Sequence, residues 1–269
     1  MKRVYSLAYL TSCLVTPPEA MQLAADLGYQ QVGFRLLPNM PGGPQQHLIG
    51  KPEMLRETLA VQKATGVQVC DLEIIRIGDN FDAKAFLPLF EVGAALKAQC
   101  VLVAGDDLDL ARLADSYARL CESMRPFNLT ADLEFMPWTA LKDVKTTRRV
   151  IEAAGNPANA GILVDALHFG RSTTTLDDIR AIPRGLLHYA QICDAEAGLN
   201  FTTEEMIHTA RSERLLAGEG NIDVNGLFAA LPQDLTVSVE VIHQARMAKH
   251  GQAGWARMCL QNAIATLEP

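Results

Sequence analysis

Residues 16–36, TPPEAMQLAADLGYQQVGFRL, hold a complete helix-to-strand unit. Thr16-Pro17-Pro18-Glu19 reads as an N-cap threonine, proline in the first turn and a capping-box glutamate. Ala20, Leu23, Ala24 and Leu27 recur at helical spacing, and Gly28 supplies the left-handed residue that ends a helix. Val32-Gly33-Phe34-Arg35-Leu36 is then a short strand.

Outward from this stretch the same phrase repeats. Leu55 to Thr65 with Gly66 leads to Val67–Ile75, and Phe86 to Lys97 leads to Val101-Leu102-Val103-Ala104. Leu108 to Ser123, with Leu110, Leu113, Tyr117 and Leu120 on one face, leads to Ala131–Phe135, and a helix before Gly155 leads to Gly161–Asp165. Strands are expected at 4–10, 31–36, 67–75, 100–104, 130–135, 161–165, 186–192 and 235–241. Eight strands alternating with helices predict the α/β class and a closed (β/α)8 TIM barrel, with residues 1–269 as one domain. An open nucleotide-binding sheet is disfavoured, because no G-x-G-x-x-G follows the first strand and no G-x-x-x-x-G-K occurs. The irregular stretch Pro38 to Pro52 follows a strand, so it falls at the catalytic end of such a barrel as a lid candidate.

The composition, 49% apolar and 20% charged, is that of a globular chain. A net charge of -7 has the wrong sign for nucleic acid or anionic lipid, so a small-molecule partner is expected, with no nucleic acid and no membrane. Cysteines 13, 70, 100, 121, 193 and 259 stand singly, which reads as reduced thiols and a cytoplasmic protein. Met1-Lys2-Arg3 and the apolar stretch to Cys13 mimic a short export signal, but Tyr5, Ser6 and Tyr9 interrupt it, and a first strand is the better reading. Nothing in the sequence excludes an oligomer.

Strand ends converge on the mouth of a (β/α)8 barrel, and four of them here close on a side-chain oxygen: Glu134, Asp165, Gln191 and Glu240. Three carboxylates brought together and buried repel one another unless a cation compensates them. One divalent metal resolves the conflict, and this hard oxygen set favours Mn2+ or Mg2+ over Zn2+. A cation holding two neighbouring oxygens of a hydroxyketone would stabilise an enediolate, with Glu134 and Glu240 placed to carry the proton. His168, three residues beyond Asp165, is a candidate catalytic and substrate-binding group. Arg214, ahead of Gly218-Glu219-Gly220, suits a carboxylate or phosphate on the substrate. Arg35 and Glu73 point into the same mouth as substrate-binding residues if their strand register is right, with Arg76 beside them. Trp138 is a wall candidate, Asp194 a support for His168 or Arg214, and His47 and His243 remote candidates.

These motifs resemble the xylose isomerase-like TIM barrels, a family that includes sugar phosphate isomerases and epimerases, inosose-processing enzymes and 3-dehydroshikimate dehydratases. Leu133-Glu134, Val164-Asp165-Ala166-Leu167-His168, Tyr189-Ala190-Gln191-Ile192-Cys193-Asp194, Arg214 with Gly218–Asp223, and Val239-Glu240 carry the resemblance, which covers nearly the whole chain. It implies that Glu134, Asp165, Gln191 and Glu240 hold one divalent metal, that His168 contacts substrate, and that the two glutamates carry protons. Many members have histidine where this chain has Gln191, so Gln191 is a variant ligand. The expected activity is a metal-dependent sugar or keto-sugar isomerase or epimerase. Its rival is a dehydratase of a cyclic hydroxyketone such as 3-dehydroshikimate, since both begin with an enolate. An abasic-site endonuclease would need more histidines and a basic surface, and a non-enzymatic binding protein would not need the ligand set.

Overall fold

In a computed structural model that describes residues 3–268, parallel strands β1 Tyr5–Leu7, β2 Gln31–Arg35, β3 Gln68–Ile77, β4 Cys100–Gly105, β5 Thr130–Glu134, β6 Ala160–Asp165, β7 Tyr189–Ile192 and β8 Thr236–Val239 follow one another around a closed barrel. β1 pairs with both β2 and β8, which closes the ring. The (β/α)8 expectation therefore holds. Helices α1 Pro17–Leu27, α2 Pro52–Thr65, α3 Leu87–Leu96, α4 Leu110–Met124, α5 Val144–Ala153, α6 Ala166–Gly170, α7 Leu176–Arg180, α8 Thr203–Ser212, α9 Val224–Ala230 and α10 Gln244–Leu267 occupy the crossovers and the C-terminal segment.

The first unit forms as its sequence dictates. Glu19 accepts from the Thr16 backbone N–H at 2.8 Å and from its hydroxyl at 2.7 Å, and Gly28 ends α1 at φ 90°. The first strand is shorter than expected, because the chain leaves the ladder after Leu7 and turns through Tyr9–Thr11. There the Thr11 hydroxyl donates to Val239 O and accepts from Val241 N–H, each at 2.7 Å, so one side chain replaces the backbone pairing. β7 likewise starts late, at Tyr189, after the helical turn Arg184–Leu186. β3 is longer than expected and reaches Ile77, and Asp106 and Asp107 both donate their N–H to the Ile77 carbonyl.

Alternation along the strands sorts the core. Val101 and Val103 of β4 pack with the helices in the large outer cluster, whereas Cys100, Leu102 and Ala104 join Leu163 and Tyr189 in a small cluster within the barrel. The same alternation sends Ala131 and Leu133 of β5 outward and leaves Asp132 and Glu134 facing in. All six cysteines are free, and no helix among the described residues is long and apolar enough to cross a membrane.

Candidate active site

Glu134 and Asp165 end β5 and β6, Gln191 lies in β7, and Glu240 follows β8 directly, so register alone delivers four oxygen-bearing side chains to one end of the barrel. Each is buried, with no more than 4% exposure. The register also turns Arg35 and Glu73 to that end, where they are cross-strand partners on β2 and β3.

Arg214 lies at the centre of the cluster. Its Nη1 donates to Asp165 Oδ2 at 2.6 Å, its Nη2 lies 2.8 Å from Glu240 Oε2, and its Nε donates to Ala210 O at 3.1 Å. The Gln191 amide donates to Glu240 Oε1 at 2.9 Å, which leaves Gln191 Oε1 buried without a partner. Asp165 Oδ1 caps the short helix α6 by accepting the N–H groups of Leu167 at 2.7 Å and His168 at 3.3 Å. That cap fixes the backbone of His168, whose Nε2 stands 3.5 Å from Glu134 Oε1, too long for a good hydrogen bond. The Trp138 ring meets the imidazole edge-on, with centroids 4.9 Å apart.

The electrostatics follow from burial around one guanidinium. Burial, then the neighbouring Asp165 and Glu240, push the Glu134 carboxyl well above its ordinary value. Burial also raises Glu240, with Glu73 and Asp165 adding to the effect against Arg214. Burial tends to raise Asp165 as well, but Arg214, His168 and its hydrogen bonds outweigh this and hold it below the usual range. Burial drives His168 down to about 4, so its imidazole is neutral at pH 7.

The other sequence candidates separate. Arg35 and Glu73 line the cavity but pair with each other at 2.6 Å, leaving Glu73 Oε1 without a partner. Arg76 pairs through two 2.6 Å contacts with Asp106 and donates to Asn39 Oδ1 at 2.8 Å. Asp194 supports neither His168 nor Arg214 through its carboxylate, contrary to the sequence reading. It collects the N–H groups of Ala195, Gly218, Gly220 and Ile222. A Cβ on Gly220 would come within 2.4 Å of that carboxylate, so the Gly218–Ile222 turn wraps Asp194 only because position 220 is glycine. Asp194 and Leu215 also exchange backbone hydrogen bonds of 2.8 Å, and these fix the chain next to Arg214. His47 is exposed, and His243 packs against Trp255; neither lines the site cavity.

One residue of the cavity wall, Arg211, is not among the sequence candidates. It lines the cavity of about 40 Å³ that holds Glu134, His168 and Glu240, and also an adjoining cavity of about 520 Å³. Its spacing gave no signal, since Arg211 is in the last turn of α8 and Arg214 lies beyond the end of that helix at Ser212.

A metal is compatible with this donor set. Ligand atoms of Glu134, Asp165 and His168 lie within 4.8 Å of one another, and the unpartnered Gln191 oxygen is a further hard donor. Among the groups in direct contact here, three buried carboxylates, Glu134, Asp165 and Glu240, share the one guanidinium of Arg214, so a divalent cation would offset charge that Arg214 does not.

Three solved structures show what this fold is similar to. An IolI protein with a binding zinc atom superposes with a TM-score of 0.80 at 15% identity, covering 99% of this chain and 98% of its own. D-Allulose 3-epimerase from Methylomonas sp. does so at 0.71 and 14%, covering 99% of each chain. The probable 3-DHS dehydratase AsbF from Bacillus anthracis gives 0.72 and 14%, covering 99% and 100%. At such identities the likeness is one of fold. No curated protein matches the chain in sequence. The model of the xylose isomerase-like TIM barrel family matches residues 21–259, and with that match and the closed barrel the chain belongs to this family.

Proposed function

We propose that the protein moves a proton next to the carbonyl of a hydroxyketone, as a metal-dependent isomerase or epimerase of a sugar or keto-sugar. The observation that carries this reading is the buried trio Glu134, Asp165 and Glu240 facing one guanidinium, with an unpartnered amide oxygen beside it. Glu134, Asp165, Gln191 and Glu240 would hold the cation, with His168 within reach of the first two. Hard oxygen donors favour Mn2+ or Mg2+ over Zn2+. When bound, a divalent cation polarises a carbonyl and its neighbouring hydroxyl, which acidifies the carbon between them.

The chain's own groups supply the proton path. Burial raises both glutamates, but Glu240 is the one in contact with the Arg214 guanidinium, which offsets part of that effect, and it is oriented at both oxygens by the Gln191 amide and by Arg214, so of the two it is assigned as the base. Glu134 has no cation paired with it and is raised by burial and by like charges, so it is assigned as the acid that returns a proton. Neutral His168, walled by Trp138, can donate to a substrate oxygen without adding charge. Ile74, Leu102, Met136 and Trp138 line the remaining wall and limit water at the reacting carbon.

A dehydratase is the second reading. The apolar residues in the cavity wall suit a carbocyclic hydroxyketone, from which a β-hydroxyl would leave after the same first proton transfer. A panel of ketoses and cyclic hydroxyketones incubated with the manganese-loaded protein in D2O tests both. Deuterium at the carbon next to the carbonyl is expected for at least one ketone. An ultraviolet-absorbing enone then marks the lyase and its absence the isomerase, and a panel with no exchange at all would contradict the proposal.

A further inference from the structure

The last turn of α8 and the residues after it carry two arginines with different surroundings. Arg214 is buried and turned inward against Asp165 and Glu240. Arg211 is half-buried, and its nearest polar contact is Met40 Sδ at 3.8 Å from Nη1. Among the described residues no carboxylate lies within 4.0 Å of it, whereas Arg35 pairs with Glu73 and Arg76 with Asp106. Of the guanidiniums lining the site cavity, only Arg211 therefore keeps an uncompensated charge. Burial and the like charges of Arg35 and Arg76 hold its pKa below the usual value. A cation left this way at a cavity junction is a place for an anion.

The cavity beyond it limits what that anion is attached to. About 40 Å³ beside the carboxylates admits only the reacting end of a substrate, and the adjoining space of about 520 Å³ must take the rest. Leu10, Leu14, Met40, Ile242 and Met247 supply much of its wall. Two of its polar groups are already engaged, since Asn39 Oδ1 accepts from Arg76 and Gln244 donates to Ser212. Hydroxyls of a sugar chain would find few partners here, and each left unsatisfied on burial costs about 1–3 kcal/mol.

We infer that Arg211 anchors a single carboxylate of the substrate, a hydroxyketone acid whose remaining skeleton is apolar and fills the larger cavity. One unpaired guanidinium balances a monoanion, and a phosphate dianion would need a second cation that Asp106 and Glu73 have already taken. This rests on the reading above for the chemistry at Glu134 and Glu240, and within it favours the cyclic hydroxyketone over the sugar.

Calorimetric titration of cyclohexanecarboxylate and of the neutral cyclohexylmethanol into the manganese-loaded protein tests it. The acid should bind at least ~10-fold more tightly than the alcohol. Arg211→Gln should remove that advantage, Arg211→Lys should restore part of it, and neither should alter manganese affinity measured on the same samples. Equal affinities for acid and alcohol, an acid affinity unchanged in Arg211→Gln, or inorganic phosphate binding more tightly than the acid would each overturn the assignment. An acid held by the metal instead would be insensitive to Arg211, so that result also counts against it. Should the wild-type protein bind no manganese, the proposed function falls, while the contrast between acid and alcohol still decides the role of Arg211.

Discussion

Arg214 Nη1 and Asp165 Oδ2 stand 2.6 Å apart inside the barrel, each almost wholly withdrawn from solvent. A buried pair of this kind contributes little net stability when intact, yet removing one partner strands the other and costs about 3–5 kcal/mol. Arg214→Met is therefore expected to lower the melting temperature sharply, with Asp165 and Glu240 both losing their cation. If these carboxylates also bind a divalent ion, added manganese should recover more of that loss in Arg214→Met than it adds to the wild-type protein, as differential scanning calorimetry would show.

In the proposed site Gln191 would set the hardness of the donor set. Gln191→His replaces an amide oxygen by imidazole and should shift the ratio of zinc to manganese affinity toward zinc. Competition of the two ions, read by manganese EPR, checks this, and an unchanged ratio would remove Gln191 from the set.

His168→Gln should lower turnover of any confirmed substrate by about 10²-fold while leaving the metal content unaltered. Because burial keeps His168 neutral down to about pH 4, the imidazole should not contribute an inflection near pH 6.5 to the wild-type rate profile. Loss of metal in this variant would make His168 a ligand.

At the other end of the barrel, His188 Nδ1 lies 2.7 Å from Asp132 Oδ1, and the hydrogen bond and charge of Asp132 outweigh burial and raise the histidine's pKa. A folded-state pKa above the unfolded one means that the pair's contribution is complete below the unfolded value, about 6.5, and is lost as pH rises through the folded value. The stability gap between wild type and His188→Gln should accordingly narrow as the pH rises above about 6.5. Gly161→Ala, whose Cβ would meet Asp132 at 2.2 Å and His188 at 2.6 Å, should destabilise by at least about 1–3 kcal/mol throughout.

The barrel and the convergence of Glu134, Asp165, Gln191 and Glu240 were legible because both depend on local periodicity: strand follows helix, and a strand's last residues face the mouth. Strand lengths were not, since the short β1 results from the Thr11 hydroxyl bonding to Val239 and Val241, more than 220 residues away. The placement of Arg214 was equally hidden. It depends on Asp165 and Glu240 and on the Asp194–Leu215 backbone pairing, contacts across the fold that local periodicity does not show. Arg211 escaped notice because a lack of acidic partners is a property of the folded mouth, and the sequence around it reads as balanced charge.

Glu134, Asp165, Gln191 and Glu240 are expected to hold one divalent cation together. Equilibrium titration of the metal-free protein with Mn2+, followed by EPR, measures this directly. One tightly bound ion per chain is expected, reduced at least ~10-fold in affinity by Glu240→Gln and by Asp165→Asn. No saturable binding, or binding that neither substitution weakens, would contradict the account.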